Sequence, residues 1–249
     1  MTAPGVILQG ALRLGDAVLL PGFRLTVAAG RWTVLLGPSG VGKTTLARLV
    51  AGLPTGARLE GEVRADDGAP LAGRVGVMAQ DDQLLPWASA LANVTIGARL
   101  RGARPDLDRA RALLDAVGLL PLAGRRPDTL STGQRQRVAL ARTLYEDRPI
   151  VVLDEPFSAL DPVTRHAMQD LAAGLLTGRS VLMITHDPQE AMRLADAAWL
   201  IGGAEGARAL DIPSAPPPRP VDSPETIAAQ AALLRGLIRA AAEDSRIAA

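Results

Sequence analysis

Residues Gly37 to Thr44 read GPSGVGKT, and Lys43 within them is the single lysine of the chain. The spacing G-x-x-x-x-G-K-[ST] asks for a strand that ends at the first glycine and a helix that begins at the lysine. Only then do successive backbone N–H groups converge on one anion. Everywhere else positive charge is carried by arginine, 26 in all. A compact ammonium on a slim stem enters a phosphate-sized loop, whereas a planar guanidinium fits it poorly. The flanks meet the demand. Trp32 to Leu36 is a short β-rich run, and Thr44 to Ala51 has helical spacing that stops at Gly52, with Pro54 beyond. Gly37, Gly40 and Gly42 let the backbone curl, with Pro38, Ser39 and Val41 between them. Lys43 then reaches the β- and γ-phosphates of a nucleotide, the Thr44 hydroxyl ligates Mg²⁺, and the helix continues through Thr45. A chain with this element binds a nucleoside triphosphate.

The 249 residues suffice for a sizeable core, 48% of them hydrophobic but only six aromatic, so Leu, Val, Ile and Ala must fill it. A formal net charge of +1 gives no footprint for a nucleic-acid partner, and none is expected. Arg101, Arg104, Arg109 and Arg111 cluster, but Asp106 and Asp108 interrupt them, which describes a solvated helix face. With no cysteine, disulfides and thiolate metal sites are excluded. The start, MTAPGVILQG, is unlike a signal peptide, and no run of about 18 apolar residues is present to span a membrane. The expectation is a soluble, cytoplasmic protein.

Strands are expected near Val6–Leu14 and Phe23–Val27, with turns at Gly15-Asp16 and Pro21-Gly22. From Pro86 to about Leu144 the pattern is helical, with Leu113, Leu114, Val117 and Leu120 at helix-like intervals. Ile150 to Leu153 and Val181 to Ile184 are short apolar runs typical of strands buried on both faces, and helical patterns between them argue for a parallel α/β sheet. Asp211 to Pro224 contains six prolines and reads as a connector. Ser223-Pro224 then opens a helix whose apolar stripe is Ile227, Ala231, Leu234, Ile238 and Ala241, packed on the domain or presented to a partner.

Two further segments carry chemistry. Asp154-Glu155 directly follows the buried run, where one carboxylate can hold a Mg²⁺ shell and the next can deprotonate an attacking water. Two acids at a strand end are also common helix caps, but the phosphate loop favours the functional reading. In LSTGQRQRVALAR, Ser131 and Gln134 form a capping-box pattern that presents bare N–H groups and a hydroxyl, and Gly133 permits close approach.

Taken in order, these segments resemble the nucleotide-binding subunit of an ATP-binding cassette (ABC) transporter, over roughly residues 5 to 205. LSTGQ (Leu130 to Gln134) is similar to the family signature LSGGQ, and LDEP (Leu153 to Pro156) to its carboxylate motif. Gln80, in VMAQDDQLLPW, falls at the Q-loop. Ser158-Ala159-Leu160-Asp161 matches the D-loop, and His186, in MITHD, the switch histidine. The resemblance implies an α/β P-loop NTPase core with a parallel sheet, an N-terminal antiparallel β subdomain and an inserted helical subdomain at about 86–135. Residues 1–212 would form the ATPase domain and 213–249 a proline-rich connector with a C-terminal helix. It implies ATP and Mg²⁺ as cofactors, the metal on Thr44, Gln80 and Asp154. It also implies a homodimer, or pairing with another ABC subunit, closed head-to-tail on two ATP molecules. Ser131, Thr132, Gly133 and Gln134 of one subunit would face the γ-phosphate held by Lys43 of the other, with Asp161 crossing the interface. Glu155 would act as general base, Gln80 would sense metal and water, and His186 would hold the γ-phosphate and Glu155.

The chain departs from the family in three places. Leu14 stands where an aromatic usually stacks on adenine; Trp32 is a substitute for that role or else a packing residue. Thr132 replaces the first signature glycine and predicts reduced but surviving hydrolysis, and Ala79 precedes Gln80 where phenylalanine is frequent. One cassette without a membrane span implies separate transmembrane permease subunits, an importer served indirectly by a periplasmic or extracellular solute-binding protein, and a peripheral place at the cytoplasmic face of the plasma membrane. LLPW (Leu84 to Trp87) and DEPFSALDP (Asp154 to Pro162) resemble importers of nitrate, alkylsulfonates or taurine, and PGFRLTVAAG (Pro21 to Gly30) those of thiamine or its pyrimidine precursor. Trp87 is a permease contact or a core residue. A soluble non-transport ABC-type ATPase and a cassette that binds ATP with little turnover are the alternatives.

Overall fold

The computed structural model describes the backbone of residues 3–202 and 206–247, and side chains as far as Leu237. β1 (Val6–Leu14) turns at Gly15, whose φ of 58° suits a residue without a β-carbon, into β2 (Ala17–Val27), its antiparallel partner. β3 (Trp32–Leu36) is buried along its whole length and runs through the glycine loop into α1 (Lys43–Val50). β4 (Arg58–Ala65) pairs with the other side of β1 and completes a three-stranded antiparallel sheet. The inward residues of that sheet, Val6, Leu8 and Leu12 among them, pack on Leu46, Ala47 and Val50 of α1.

β5 (Val75–Met78) leads into the helical insert, comprising α2 (Ala90–Val94), α3 (Ile96–Leu100) and α4 (Leu107–Ala116). α5 (Thr132–Tyr145) returns to the core. Then follow β6 (Ile150–Asp154), α6 (Pro162–Leu175), β7 (Ser180–Ile184), α7 (Pro188–Leu194), β8 (Ala197–Ile201), β9 (Ala207–Leu210) and α8 (Pro224–Ile247). The second sheet has the order β5-β6-β7-β3-β8-β9, parallel except for β9. Side chains alternate across it. Val34, Val151, Leu153, Val181 and Met183 face the helical layer, whereas Leu35, Ile150, Val152, Leu182 and Ile184 face α1 and the antiparallel sheet. This is an α/β P-loop NTPase fold with an antiparallel β subdomain and an inserted helical subdomain. Among the described residues no helix is long and apolar enough to cross a membrane.

Three expectations need correction. Pro21-Gly22 is no turn but lies inside β2, opposite the register shift between Gly10 and Leu12 of β1. α4 ends at Ala116, because Gly118 adopts φ 69° and Pro121 follows, so Leu120 belongs to a separate 3-10 turn. The stripe expected on α8 is turned away from the core. Ser223 does cap the helix, accepting from the Thr226 N–H at 3.2 Å, but Thr226 and Leu233 are the buried positions and Ala229 and Leu237 pack beside them. Ile227 and Leu234 are half exposed. The side chains of Ile238 and Ala241 lie outside the described residues.

Candidate functional site

Parallel strands send their C-terminal ends to one edge of a sheet, and the loops leaving that edge form the site of an open α/β fold. Here those loops carry Gly37 after β3, Gln80 after β5, Asp154-Glu155 at the end of β6 and His186 after β7. Sequence positions more than a hundred residues apart are thereby brought side by side.

The phosphate loop is fixed by close packing. Gly37 has φ 148°, and a β-carbon on it would lie 2.1 Å from the Ile201 carbonyl oxygen of β8. Gly42, at φ 98°, precedes α1 without any side-chain cap, so the first N–H groups of that helix stay available to an anion. Pro38, Ser39, Gly40 and Val41 form the turn between, with Ser39 and Gly40 exposed, and Thr45 is half-buried on the first turn of α1. Lys43 is buried, and its Nζ donates to the carbonyls of Gly37 at 2.8 Å and Pro38 at 2.6 Å. Burial holds its pKa below the ordinary lysine value, while the charges of Glu155 and Asp154 oppose that shift.

Asp154 is buried at the strand end, and burial pushes its carboxyl above the usual range. The Thr44 hydroxyl hydrogen-bonds to it and pulls the other way, Glu155 raises it and Lys43 lowers it. Thr44, Gln80 and Asp154 line one cleft of about 440 Å³ together with Arg48 and Gln83. Glu155 has φ 49°, a left-handed backbone that costs an ordinary side chain about 1–3 kcal/mol and persists only where its surroundings impose it. Its N–H donates to the Ile184 carbonyl at 2.9 Å, and its carboxylate Oε1 lies 3.1 Å from His186 Nδ1. His186 is thus paired with Glu155. The neighbouring Asp187 instead caps α7 through the Gln189 N–H and pairs with Arg165 at 3.3 Å.

The signature segment stands at the start of α5. Ser131 accepts from the Gln134 N–H at 3.3 Å and donates its own N–H to Gln134 Oε1 at 2.9 Å, a complete capping box. Gly133 packs closely in a way the sequence does not show: a β-carbon there would sit 3.2 Å from both the Ala159 carbonyl and Leu160 Cδ2 of the D-loop, a tight contact that the loop would have to relieve by a few tenths of an ångström. Thr132 is exposed, and its hydroxyl accepts from Arg135, which also bonds Asp82 at 2.8 Å. Among the described residues, the side-chain hydrogen bonds of this segment run to α5 and to the flank of Gln80, not to the phosphate loop. Asp161 is occupied within its own chain, capping α6 through the Val163 and Thr164 N–H groups. Ser158 and Ala159 are exposed, while Leu160 is buried.

Three supporting residues escaped the sequence analysis. Gln136, polar on the buried face of α5, bonds the backbone of Glu155 and Ala159. Thr185 donates to the buried Glu190 at 2.6 Å and accepts from the Asp187 N–H, bracing the loop that carries His186. Burial pushes the Glu190 carboxyl up. A polar residue at a core position of an amphipathic helix was the available signal for Gln136. Trp32 starts β3, at the end away from the phosphate loop, and its burial marks it as packing. Trp87 is 70% exposed and so no core residue. Leu14, at the end of β1, is half exposed.

The ABC transporter family profile matches residues 20–158. An uncharacterized ABC transporter ATP-binding protein of Haemophilus influenzae is 41% identical over 197 residues, 78% of this chain and 80% of the relative. An aliphatic sulfonates import ATP-binding protein of Rhodococcus jostii is 43% identical over 235 residues, 92% of this chain and 91% of the relative. Among solved structures, a dimeric, post-hydrolysis ATP-binding cassette bound to ADP and Pi aligns with a TM-score of 0.71 at 28% identity, covering 85% of this chain and 100% of that one. With a profile match over more than half its length and such relatives along most of it, the chain belongs to the ABC transporter family as an ATP-binding, ATP-hydrolysing cassette.

Proposed function

We propose that the chain is the ATPase subunit of an importer for an aliphatic sulfonate or a comparable small organic anion. It would work as a dimer of cassettes against transmembrane permease subunits, at the cytoplasmic face of the membrane, and a solute-binding protein on the far side would deliver the cargo. The likeness to a sulfonate-import relative and the segments LLPW and DEPFSALDP support the solute class. Exposed Trp87 and Leu100, at 70% and 81%, suit a permease-facing surface. Residues 1–212 serve as the ATPase unit, with the helical insert at about 86–135, and 213–249 as its appendage.

In this reading the backbone N–H groups from Gly40 to Thr45 and the Lys43 ammonium bind and orient the β- and γ-phosphates. Thr44, Asp154 and Gln80 hold Mg²⁺. Their hydroxyl, carboxylate and amide oxygens fit a hard cation that keeps much of its water, and such a cation asks for no cage of acidic side chains. Among the described residues no group of three or more His, Cys, Asp or Glu forms one. When bound, Mg²⁺ supplies neutralisation of phosphate charge. Glu155 takes the proton of the attacking water, and His186 keeps its carboxylate aimed. Ser131 and Gly133 of the partner complete the site, so hydrolysis waits for closure.

One observation carries this reading: the 3.1 Å contact of His186 with Glu155 beside Lys43 and Asp154 at a single sheet edge. The test is Glu155→Gln in the complex with its permease, reconstituted in vesicles. The wild type should hydrolyse ATP and accumulate a labelled alkanesulfonate; the variant should bind ATP but lose about 10²-fold or more in hydrolysis and all uptake. A variant that turns over ATP like the wild type refutes the general-base assignment, and a wild type indifferent to sulfonates refutes the solute.

A further inference from the structure

Gln136 is a buried, uncharged residue in the second turn of α5, 6% exposed, and its amide is fully engaged. Nε2 donates to the Glu155 carbonyl at 3.0 Å and to Ser158 Oγ at 3.3 Å, while Oε1 accepts from the Ala159 N–H at 3.0 Å. The orientation of the amide is fixed, because a carbonyl can only accept and a backbone N–H can only donate. The Glu155 carbonyl also accepts from the Ser158 hydroxyl at 3.1 Å, and the Glu155 N–H is held by Ile184. Both ends of a residue with φ 49° are therefore pinned. Among the described residues, no other side chain hydrogen-bonds from the signature helix both to the residue that follows the strand-end aspartate and to the D-loop.

We propose that Gln136 is a positioning residue for ATP hydrolysis: from the signature helix it holds the backbone of Glu155 in the left-handed conformation that aims its carboxylate at His186 and the attacking water. The proposal rests on the general-base reading of Glu155 given above. Its consequence reaches across the dimer. The helix whose N-terminus completes the partner's site also sets the base of its own, so a shift of α5 on closure is transmitted to Glu155 through one amide.

Gln136→Met keeps the volume and removes all three bonds. Gln136→Glu keeps an acceptor for Ala159 but turns a second acceptor towards the Glu155 carbonyl. Both variants of the full chain are compared with the wild type and with Glu155→Gln for binding of a fluorescent ATP analogue, KM and kcat. The expected result is affinity and KM within about twofold of wild type and a kcat lowered by about tenfold to a hundredfold, the usual effect of misplacing a catalytic group by about an ångström. A purely structural role would instead lower affinity, KM performance and melting temperature together. A kcat within twofold of wild type in either folded variant overturns the proposal, as does a parallel loss of ATP binding. If Gln136→Met does not fold, Gln136→Glu decides by the same measures; if neither folds, Gln136 supports the fold, not the base, and the proposal fails. Glu155→Gln separates the two levels. If it is inactive while the Gln136 variants run at full rate, only this proposal falls; if it hydrolyses normally, both fall.

Discussion

Among the described residues, three other than glycine have positive φ: Gln83 at 47°, Asp147 at 55° and Glu155 at 49°. Each is held by its neighbours. Asp147 follows α5, in a place where glycine commonly reverses the chain, and an aspartate tolerates that conformation better than most residues. Its carboxylate pairs with Arg179 and with Arg109 of α4, tying the insert to the turn before β7. The hydrogen bond from Arg179 holds the Asp147 pKa below its ordinary 3.8, with the charge of Arg109 adding to the effect. A depressed carboxylate stabilises the fold fully above the unfolded-state pKa, and the contribution is lost as pH falls through the folded one. Urea midpoints of the wild type and Asp147→Asn should therefore differ modestly at neutral pH and converge below the ordinary carboxylate range. A difference that persists unchanged in acid would show that the pair acts through shape instead of charge.

Individual elements were legible to the extent that their own residues determine them. β3, β6 and β7 are five-residue strands buried throughout, built on apolar runs of four in β6 and β7 and interrupted only by Thr33 in β3, so burial on both faces could be read directly. The capping box of α5 and the cap of α8 announce themselves through one hydroxyl each. What the sequence could not supply was which side of α8 meets the core. The helix is rich in alanine, so Ile227–Ala231–Leu234 and Ala229–Leu233–Leu237 are nearly equivalent stripes, and packing on α7 decides between them. Leu233 and Leu234 make the contrast sharp, at 5% and 49% exposure. Leu233→Ala should cost about 2–4 kcal/mol in chemical denaturation, whereas Leu234→Ser should change stability by about 0.5 kcal/mol or less. Equal effects would mean that α8 does not pack through that face.

At the scale of the whole molecule the strand order does what no motif can. Placing β7 between β6 and β3 sets His186 between Asp154-Glu155 and the phosphate loop, and that neighbourhood was legible only once the motifs were taken together. Gln136 and the D-loop packing of Gly133 were not, because both depend on which loop lies over α5. The signature start makes its bonds to the flank of Gln80 and leaves Ser131 and Thr132 exposed, as the proposed shared site requires. Mixing Ser131→Arg with Lys43→Ala tests this arrangement. Mixed dimers, shown to form, should recover up to one intact site and hence activity above either parent, whereas no recovery would speak against sharing.

The lysine that opens α1 is also the one side-chain amine in the sequence. Amine-directed chemistry, whether an acylating reagent at the bench or carbamylation on storage, therefore has a single side-chain target, and it lies in the floor of the phosphate cradle. For a surface built on guanidinium, every such lesion is a lesion of the motor.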